Sequence, residues 1–169
     1  MTSIRRYADA DHAAVRDLFI QVNRELAPAE FRAAFESYIE RSLTEEIDRL
    51  ADYYAPKRGA FFVAYEGETL AGMFGLEGLG MPSAELRRMY LDKAFRGRGL
   101  ARAMLKRAEQ ECRDAGTPVL TLSTSELQQA ALAFYRKSGY RLVREETAAA
   151  QTNKTVGGNI RRYYFEKML

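Results

Sequence analysis

Apolar residues along this chain alternate between two spacings, and each change of spacing marks an element. Val15, Leu18, Phe19 and Val22 recur at i, i+3, i+4 and i+7, the spacing that lines one face of a helix. Asp9 or Asp11 precedes that run as a capping residue, and Pro28 ends it. Phe31, Phe35, Tyr38, Ile39, Leu43, Ile47, Leu50 and Tyr54 then hold one helical phase, while Ser42 and Glu45 form a potential capping box inside it. One bent helix and two shorter ones are both open. Shorter runs rich in β-branched and aromatic residues read as strands: Ser3 to Tyr7, Ala60 to Tyr65, Leu70 to Leu79 and Glu85 to Leu91. Gly, Glu and Pro separate the last three, which suggests an antiparallel meander. Leu100, Met104, Leu105, Ala108, Cys112 and Ala115 line one face of the clearest helix, opposite Arg102, Lys106, Glu109 and Arg113, and Gly116 with Pro118 closes it. Val119 to Ser123 is a strand, Gln128 to Lys137 a short helix stopped by Gly139, and Tyr140 to Glu145 and Asn159 to Met168 are the last strands.

This order predicts an α/β (α+β) fold, a mixed but mostly antiparallel sheet with helices on its faces. The strand, helix, strand run from Glu85 to Ser123 is expected to be a right-handed parallel crossover. No repeat, low-complexity tract or Pro/Gly/Ser linker divides the chain, so residues 1–169 are expected to form one domain.

Composition narrows the function classes. Twenty-six Lys and Arg against 23 Asp and Glu leave a formal net charge of +3, and the acids are interleaved with the bases through most helical segments. A nucleic-acid binder usually gathers its bases into one dense stripe, so no nucleic-acid partner is expected; small anionic ligands stay possible. One Cys and one His exclude a zinc site of the usual ligand count and an internal disulfide, and no metal is expected. The first residues lack a signal-like apolar core, and no run approaches the roughly 18 apolar residues of a membrane span. The expectation is a cytoplasmic protein with no membrane partner.

The candidate chemistry lies in "FRGRGLARAML", Phe95 to Leu105. A strand that turns through glycines into a helix aims the helix's free N–H groups and the positive end of its dipole at one point, where an anion fits. Gly97 and Gly99 permit a close backbone approach. The segment is not a P-loop, since no Lys-Ser or Lys-Thr follows, and two glycines do not make a dinucleotide fingerprint. From the residues alone, phosphate binding and a plain helix-start turn stand about level.

The longer stretch "ELRRMYLDKAFRGRGLARAML" resembles the acyl-CoA-binding segment of the GNAT superfamily of N-acyltransferases, whose signature is Arg or Gln, two residues, Gly, one residue, Gly or Ala. Arg96, Gly99 and Ala101 match it. Further along, "QQAALAFYRKSGY", Gln128 to Tyr140, is similar to the superfamily's second recurring segment. Together with the order of elements, the resemblance extends over nearly the whole chain. It implies a GNAT fold in which acyl-CoA wedges between two splayed parallel strands, here Glu85 to Leu91 and Val119 to Ser123. By the same resemblance, backbone groups of Met89 and Leu91 would bond the pantetheine arm, and Arg96, Gly97, Arg98, Gly99, Leu100 and Ala101 would hold the pyrophosphate.

The resemblance implies an enzyme that moves an acetyl or other short acyl group from acyl-CoA to a primary amine by direct attack. Tyr135 is then the acid that protonates the departing thiolate, against the alternative of a core aromatic beside Phe134. Glu85 is the candidate base, against an ordinary ion pair with Arg87 or Arg88; Glu77 is a weaker one. Gln128 stands where many relatives carry an asparagine that contacts pantetheine, and a Ser125-x-x-Gln128 capping box explains it equally well. Lys137 would approach the 3′-phosphate, or is a helix-end lysine favoured by the dipole. His12 reads as a surface residue and Cys112 as packing. The alternating aromatics of Arg161 to Lys167 read as sheet packing rather than a nucleic-acid strip. An acyl-CoA-binding sensor domain without turnover is the alternative reading. The acceptor, which the resemblance places against Phe31 to Tyr54 and the Glu146 to Asn159 stretch, is not named by the sequence, and a homodimer is possible. The small, polar Glu146 to Asn159 stretch suggests a loop that orders on binding. Tyr38, Tyr53 and Tyr54 fit core packing better than a pocket lining.

Overall fold

The computed structural model describes residues 1–169. Seven strands, β1 (Thr2–Arg6), β2 (Ala60–Glu66), β3 (Thr69–Glu77), β4 (Ser83–Leu91), β5 (Val119–Ser125), β6 (Arg141–Ala148) and β7 (Ile160–Met168), form one sheet in the order β1-β2-β3-β4-β5-β7-β6. Every neighbouring pair is antiparallel except β4 with β5. That exception is the expected crossover, made through α4 (Leu100–Asp114).

Helices cover both faces. Leu100, Met104, Leu105, Ala108 and Cys112 of α4 pack on Phe62, Phe74, Leu76, Leu120 and Leu122, joined by Leu132 and Tyr135 of α5 (Gln129–Lys137). On the other face Val15, Leu18, Phe19 and Val22 of α1 (His12–Leu26) pack with Tyr38, Ile39 and Leu43 of α2 (Arg32–Glu45) against Phe61, Val63 and Met73. Alternate residues of β2 therefore serve opposite cores, as the two-residue period of a strand requires. No helix is long and apolar enough to cross a membrane.

Three local expectations differ from the structure. Asp11 stands before α1 but does not cap it: its carboxylate turns back to the Arg5 guanidinium, the Ala8 N–H and the Tyr65 hydroxyl, which together outcompete the helix amides. The Phe31 to Tyr54 stretch is broken, and Ser42 with Glu45 forms no capping box. The break falls at Glu46 (φ −138°, ψ −62°), after which a short turn leads into α3 (Leu50–Tyr54). The cause is chemical, since the fully buried Glu46 carboxylate is drawn to arginines of the sheet. Finally, the long β6–β7 connection is ordered against the rest of the chain: Arg41 donates to the Gln151 carbonyl at 2.8 Å, the Asn153 carbonyl accepts from Arg87 and Arg88 of the sheet, and Lys154 reaches Glu77.

Candidate active site

The site grows from a defect in the sheet. β5 runs beside β4 for four residue pairs only, Ser83 with Val119 to Leu86 with Leu122, and from Arg87 onward no β5 residue stands opposite. The expected splay is therefore present, and it leaves a strand edge open inside the domain. A bulge helps to open it: between the pairs Gly75 with Arg87 and Met73 with Tyr90, two β4 residues face one residue of β3. The extra residue is Arg88, whose φ of 53° is left-handed and uncommon for a side chain of its size. Strict alternation would send Arg88 into the apolar core under α4, with no counter-charge. The bulge instead turns Arg87 and Arg88 to the same side, toward α2 and α3.

There they meet Glu46. One oxygen of its carboxylate lies 2.9 Å from Arg87 Nη1 and 3.1 Å from Arg88 Nη2, and the Tyr54 hydroxyl donates to the other at 2.8 Å. Burial alone would raise the Glu46 carboxyl, but the charges of Arg88 and Arg87 outweigh it and hold the group below its ordinary range. Arg88 also donates to the Tyr38 hydroxyl at 2.7 Å, and Arg87 to the Tyr53 hydroxyl at 2.9 Å. Tyr53 and Tyr54 are buried, as core packing required, but their hydroxyls serve this charge cluster; Tyr38 also lines the cavity at the splay.

Toward solvent the cluster continues through Glu77 and Glu85, cross-strand neighbours on β3 and β4. Glu85 pairs with Arg87 at 3.5 Å rather than with Arg88. Lys154, from the β6–β7 connection, lies 3.2 Å from both Glu77 and Glu85. Burial pushes its pKa down, but the two carboxylates outweigh burial and the Arg87 charge and keep the ammonium protonated.

At the other mouth of the splay, Gly97 (φ 76°) and Gly99 (φ 80°) lead into α4 in the left-handed region, and a side chain at either would point into open space. The N–H groups of Gly97, Arg98 and Gly99 donate to no backbone carbonyl, and the first α4 amide to bond back to Gly99 is that of Ala103. The amides of Leu100, Ala101 and Arg102 occupy the free end that every helix has. Arg96 reaches only the Leu91 carbonyl at 3.5 Å, Arg98 lies over the Phe95 ring, and neither has an acidic partner. Free backbone amides and guanidinium groups without acidic partners coincide here, an arrangement suited to an anion.

A single cavity at the splay is lined by Glu85, Met89, Gln128 and Tyr135. The Tyr135 ring is buried against Phe134, Tyr140 and Phe165, while its hydroxyl makes no hydrogen bond to the protein. Burial, with a smaller contribution from Tyr90, pushes its pKa well above 10, so it stays a proton donor. Gln128 Oε1 accepts from Thr124 Oγ1 at 2.8 Å and loosely from the Ser125 N–H at 3.4 Å, which is half of the expected capping box; Ser125 Oγ bonds Leu127 instead. Leu91 packs on the α4-side core near this opening. Lys137 is exposed in the last turn of α5 and does not line the cavity.

His12 pairs with Asp48 on the surface, and Cys112 is fully buried, its thiol pushed up to about 11 by burial and by Glu109 and Glu111. Arg161 to Lys167 lies in β7, between two strands, with Tyr163 and Phe165 packed on the core. Sequence reasoning missed Glu46, Asn153, Lys154 and Arg162. One signal was available: two adjacent arginines in a strand flanked by buried strands demand a buried carboxylate nearby.

A sheet with one short parallel pair that splays beside a glycine turn, covered by helices on both faces, is the architecture of acyl-CoA-dependent acyltransferases. The chain belongs to the acetyltransferase (GNAT) family, whose family model matches residues 23–140. It is 23% identical over 187 residues to N-acetyltransferase 8F1 of Rattus norvegicus, covering 81% of this chain and 85% of that protein. Human N-acetyltransferase 8 is 27% identical over 110 residues, 62% of this chain and 48% of its own, so the chain spans about half of that relative. Among solved structures, PaiA N-acetyltransferase from Thermoplasma acidophilum with coenzyme A aligns with a TM-score of 0.73 at 19% identity, covering 100% and 99% of the two chains. YncA from Salmonella typhimurium with acetyl-CoA aligns at 0.72 and 20% identity, covering 100% and 94%.

Proposed function

We propose that this protein is an N-acetyltransferase that moves an acetyl group from acetyl-CoA to a primary amine by direct attack in a ternary complex. The observation that carries the reading is that Glu85 and Tyr135 line one cavity at the open end of the splay. The residues present fit the co-substrate: the free amides from Gly97 to Gly99 suit a pyrophosphate, with Arg96, Leu100 and Ala101 beside them, and the open edge of β4 at Met89 and Leu91 suits an amide-rich arm. Gln128 borders that arm, and Lys137 is kept for the 3′-phosphate.

Acetyl-CoA supplies the thioester carbonyl that the amine attacks. An alkyl ammonium has a pKa of about 10.4, so a base must act near neutrality. Glu85 takes that proton, directly or through water. The acceptor ammonium enters where Lys154 Nζ now stands between Glu77 and Glu85, a place already built to hold a positive charge. Tyr135, kept protonated by burial, donates to the departing sulfur. The carboxyl of Glu46 fixes Arg87, which in turn positions Glu85.

The test is calorimetry of acetyl-CoA binding to the wild-type protein and to an Arg96→Ala, Gly99→Glu double variant, followed by thiol release with pooled amines. Binding that the variant loses, with thiol released by some pool, is the expected result. Binding without release from any pool would favour an acyl-CoA sensor, and no binding to a folded sample would overturn the reading.

A further inference from the structure

The cavity at the splay contains one more cation than its acids balance. Arg87, Arg88 and Lys154 are balanced by Glu46, Glu77 and Glu85, with Arg87 touching all three carboxylates. Arg162, on β7, also lines the cavity and has no carboxylate partner. Its Nη2 donates to Ser123 Oγ at 2.9 Å, and its Nε is buried without a hydrogen-bond acceptor. The carboxylate opposite it in the ladder, Glu146, is turned to Arg144 at 3.3 Å. A buried guanidinium N–H without an acceptor is costly, and a planar guanidinium matches a carboxylate in a two-point bond.

The side of the sheet matters as much as the charge. Arg162 pairs with Ser125 across the β5–β7 ladder, and Thr121 pairs with Glu85 across β4–β5. Thr121 and Ser125 are four residues apart on one strand, so Arg162 and Glu85 project from the same face. That is the face of Lys154 and the charge cluster, opposite the one packed by α4 and α5. Glu85 and Arg162 also line the same cavity.

We propose that Arg162 is a specificity residue that binds a carboxylate of the acceptor, making the acceptor class amino carboxylates rather than simple amines. The proposal rests on the N-acetyltransferase reading. Ser123 holds the guanidinium in place through Nη2, leaving Nη1, which bonds no group of the protein, to the ligand. The amine and the carboxylate of one small acceptor are thus held by groups of opposite sign, Glu85 with Glu77 at one end and Arg162 at the other. A diamine or an uncharged amine would leave the guanidinium unsatisfied.

The experiment compares ligands that differ only in that carboxylate. A set of N-acetyl amino acids and their primary amides is titrated into the wild-type protein by calorimetry, with and without CoA, and the free amino acids and their amides are compared by thiol release. Wild-type protein should bind at least one acid at least about tenfold more tightly than its amide. Arg162→Gln should abolish that preference, and Arg162→Lys should keep part of it. Both variants are checked for folding by circular dichroism; if Arg162→Gln does not fold, the lysine variant and the acid-to-amide ratio of the wild type decide. Equal binding of acids and amides by the wild-type protein, or a preference that persists in a folded Arg162→Gln, would overturn the proposal. Thiol release from amines with no preference for acids would overturn it while leaving the N-acetyltransferase reading intact. Failure of CoA to bind would remove that reading, while acid binding without CoA would still report on Arg162.

Discussion

The ammonium nitrogen of Lys154 lies 3.2 Å from a carboxylate oxygen of Glu85. The chain thus presents one of its own primary amines to the candidate base, from a connection anchored by Asn153 hydrogen bonds to Glu46 and Tyr53. In the proposed mechanism an incoming ammonium displaces it. Replacing Lys154 with Met should lower the KM for the acceptor severalfold with kcat unchanged within about twofold, as steady-state kinetics would show. The side chain is 43% exposed, so its ion pairs contribute at most about 1 kcal/mol to stability, and the melting temperature should barely move.

Glu85→Gln keeps the shape of the site and removes the proton acceptor. At neutral pH, kcat/KM should fall about 10²-fold or more, the usual contribution of a positioned base. Raising the pH should recover part of the loss, because the acceptor then deprotonates in solution. A pH profile in which wild-type and variant curves stay parallel up to pH 10 would remove Glu85 from the mechanism.

Tyr135→Phe separates the acid from the core. The ring is buried, but the hydroxyl makes no hydrogen bond to the protein, so the variant should melt within a degree or two of wild type. Turnover should nonetheless fall by about 10²-fold, measured at saturating acetyl-CoA. Burial raises the pKa of this phenol, so in the wild type the hydroxyl stays protonated past the ordinary value of 10, and its ionisation should not appear as an alkaline limb below that pH.

The glycine turn makes two demands at once. At Gly99, φ is 80°, which costs any other residue about 1–2 kcal/mol. The added methyl of Gly99→Ala would meet nothing in the protein, so strain alone sets the stability loss, readable by denaturant unfolding. Acetyl-CoA affinity should fall further than that loss explains, since the relaxed backbone re-aims the amides of the turn.

The elements that the chain announces are those built on local periodicity. α4 begins and ends where its apolar stripe and flanking glycines place it, and every strand was visible within a few residues. What depends on pairs far apart in sequence was not legible. Glu46 breaks a helical phase that Ile47, Leu50 and Tyr54 continue, because its partners lie more than 40 residues away at Arg87 and Arg88. The bulge that turns Arg88 follows from that same pairing. Tyr135 and the Arg96 to Ala101 turn were found because their local motifs carry a resemblance. Arg162 and Lys154 belong to no such motif and become visible only when the β6–β7 connection folds over the splay.

The buried cluster predicts how the fold fails in acid. Arg88 and Arg87 hold the Glu46 carboxyl below its ordinary range against the opposing effect of burial, and Asp11 is held down to about 2, chiefly by its hydrogen bond from Arg5. A carboxyl with a depressed folded-state pKa contributes stability that is complete above its unfolded value and is lost as pH falls through the folded one. The melting temperature should therefore be flat from pH 7 to about 5 and fall between about 4 and 2, and Asp11→Asn should shallow the lower part of that fall. Glu46→Gln leaves the buried Arg88 guanidinium without a counter-charge and Arg87 with only Glu77 and Glu85, and should cost about 3–5 kcal/mol at pH 7, the range for breaking a buried pair. Truncating all three charges together should cost less than Glu46→Gln alone, since the destabilisation comes from unpaired charge rather than from loss of a favourable bond; urea unfolding of the single and triple variants would decide it.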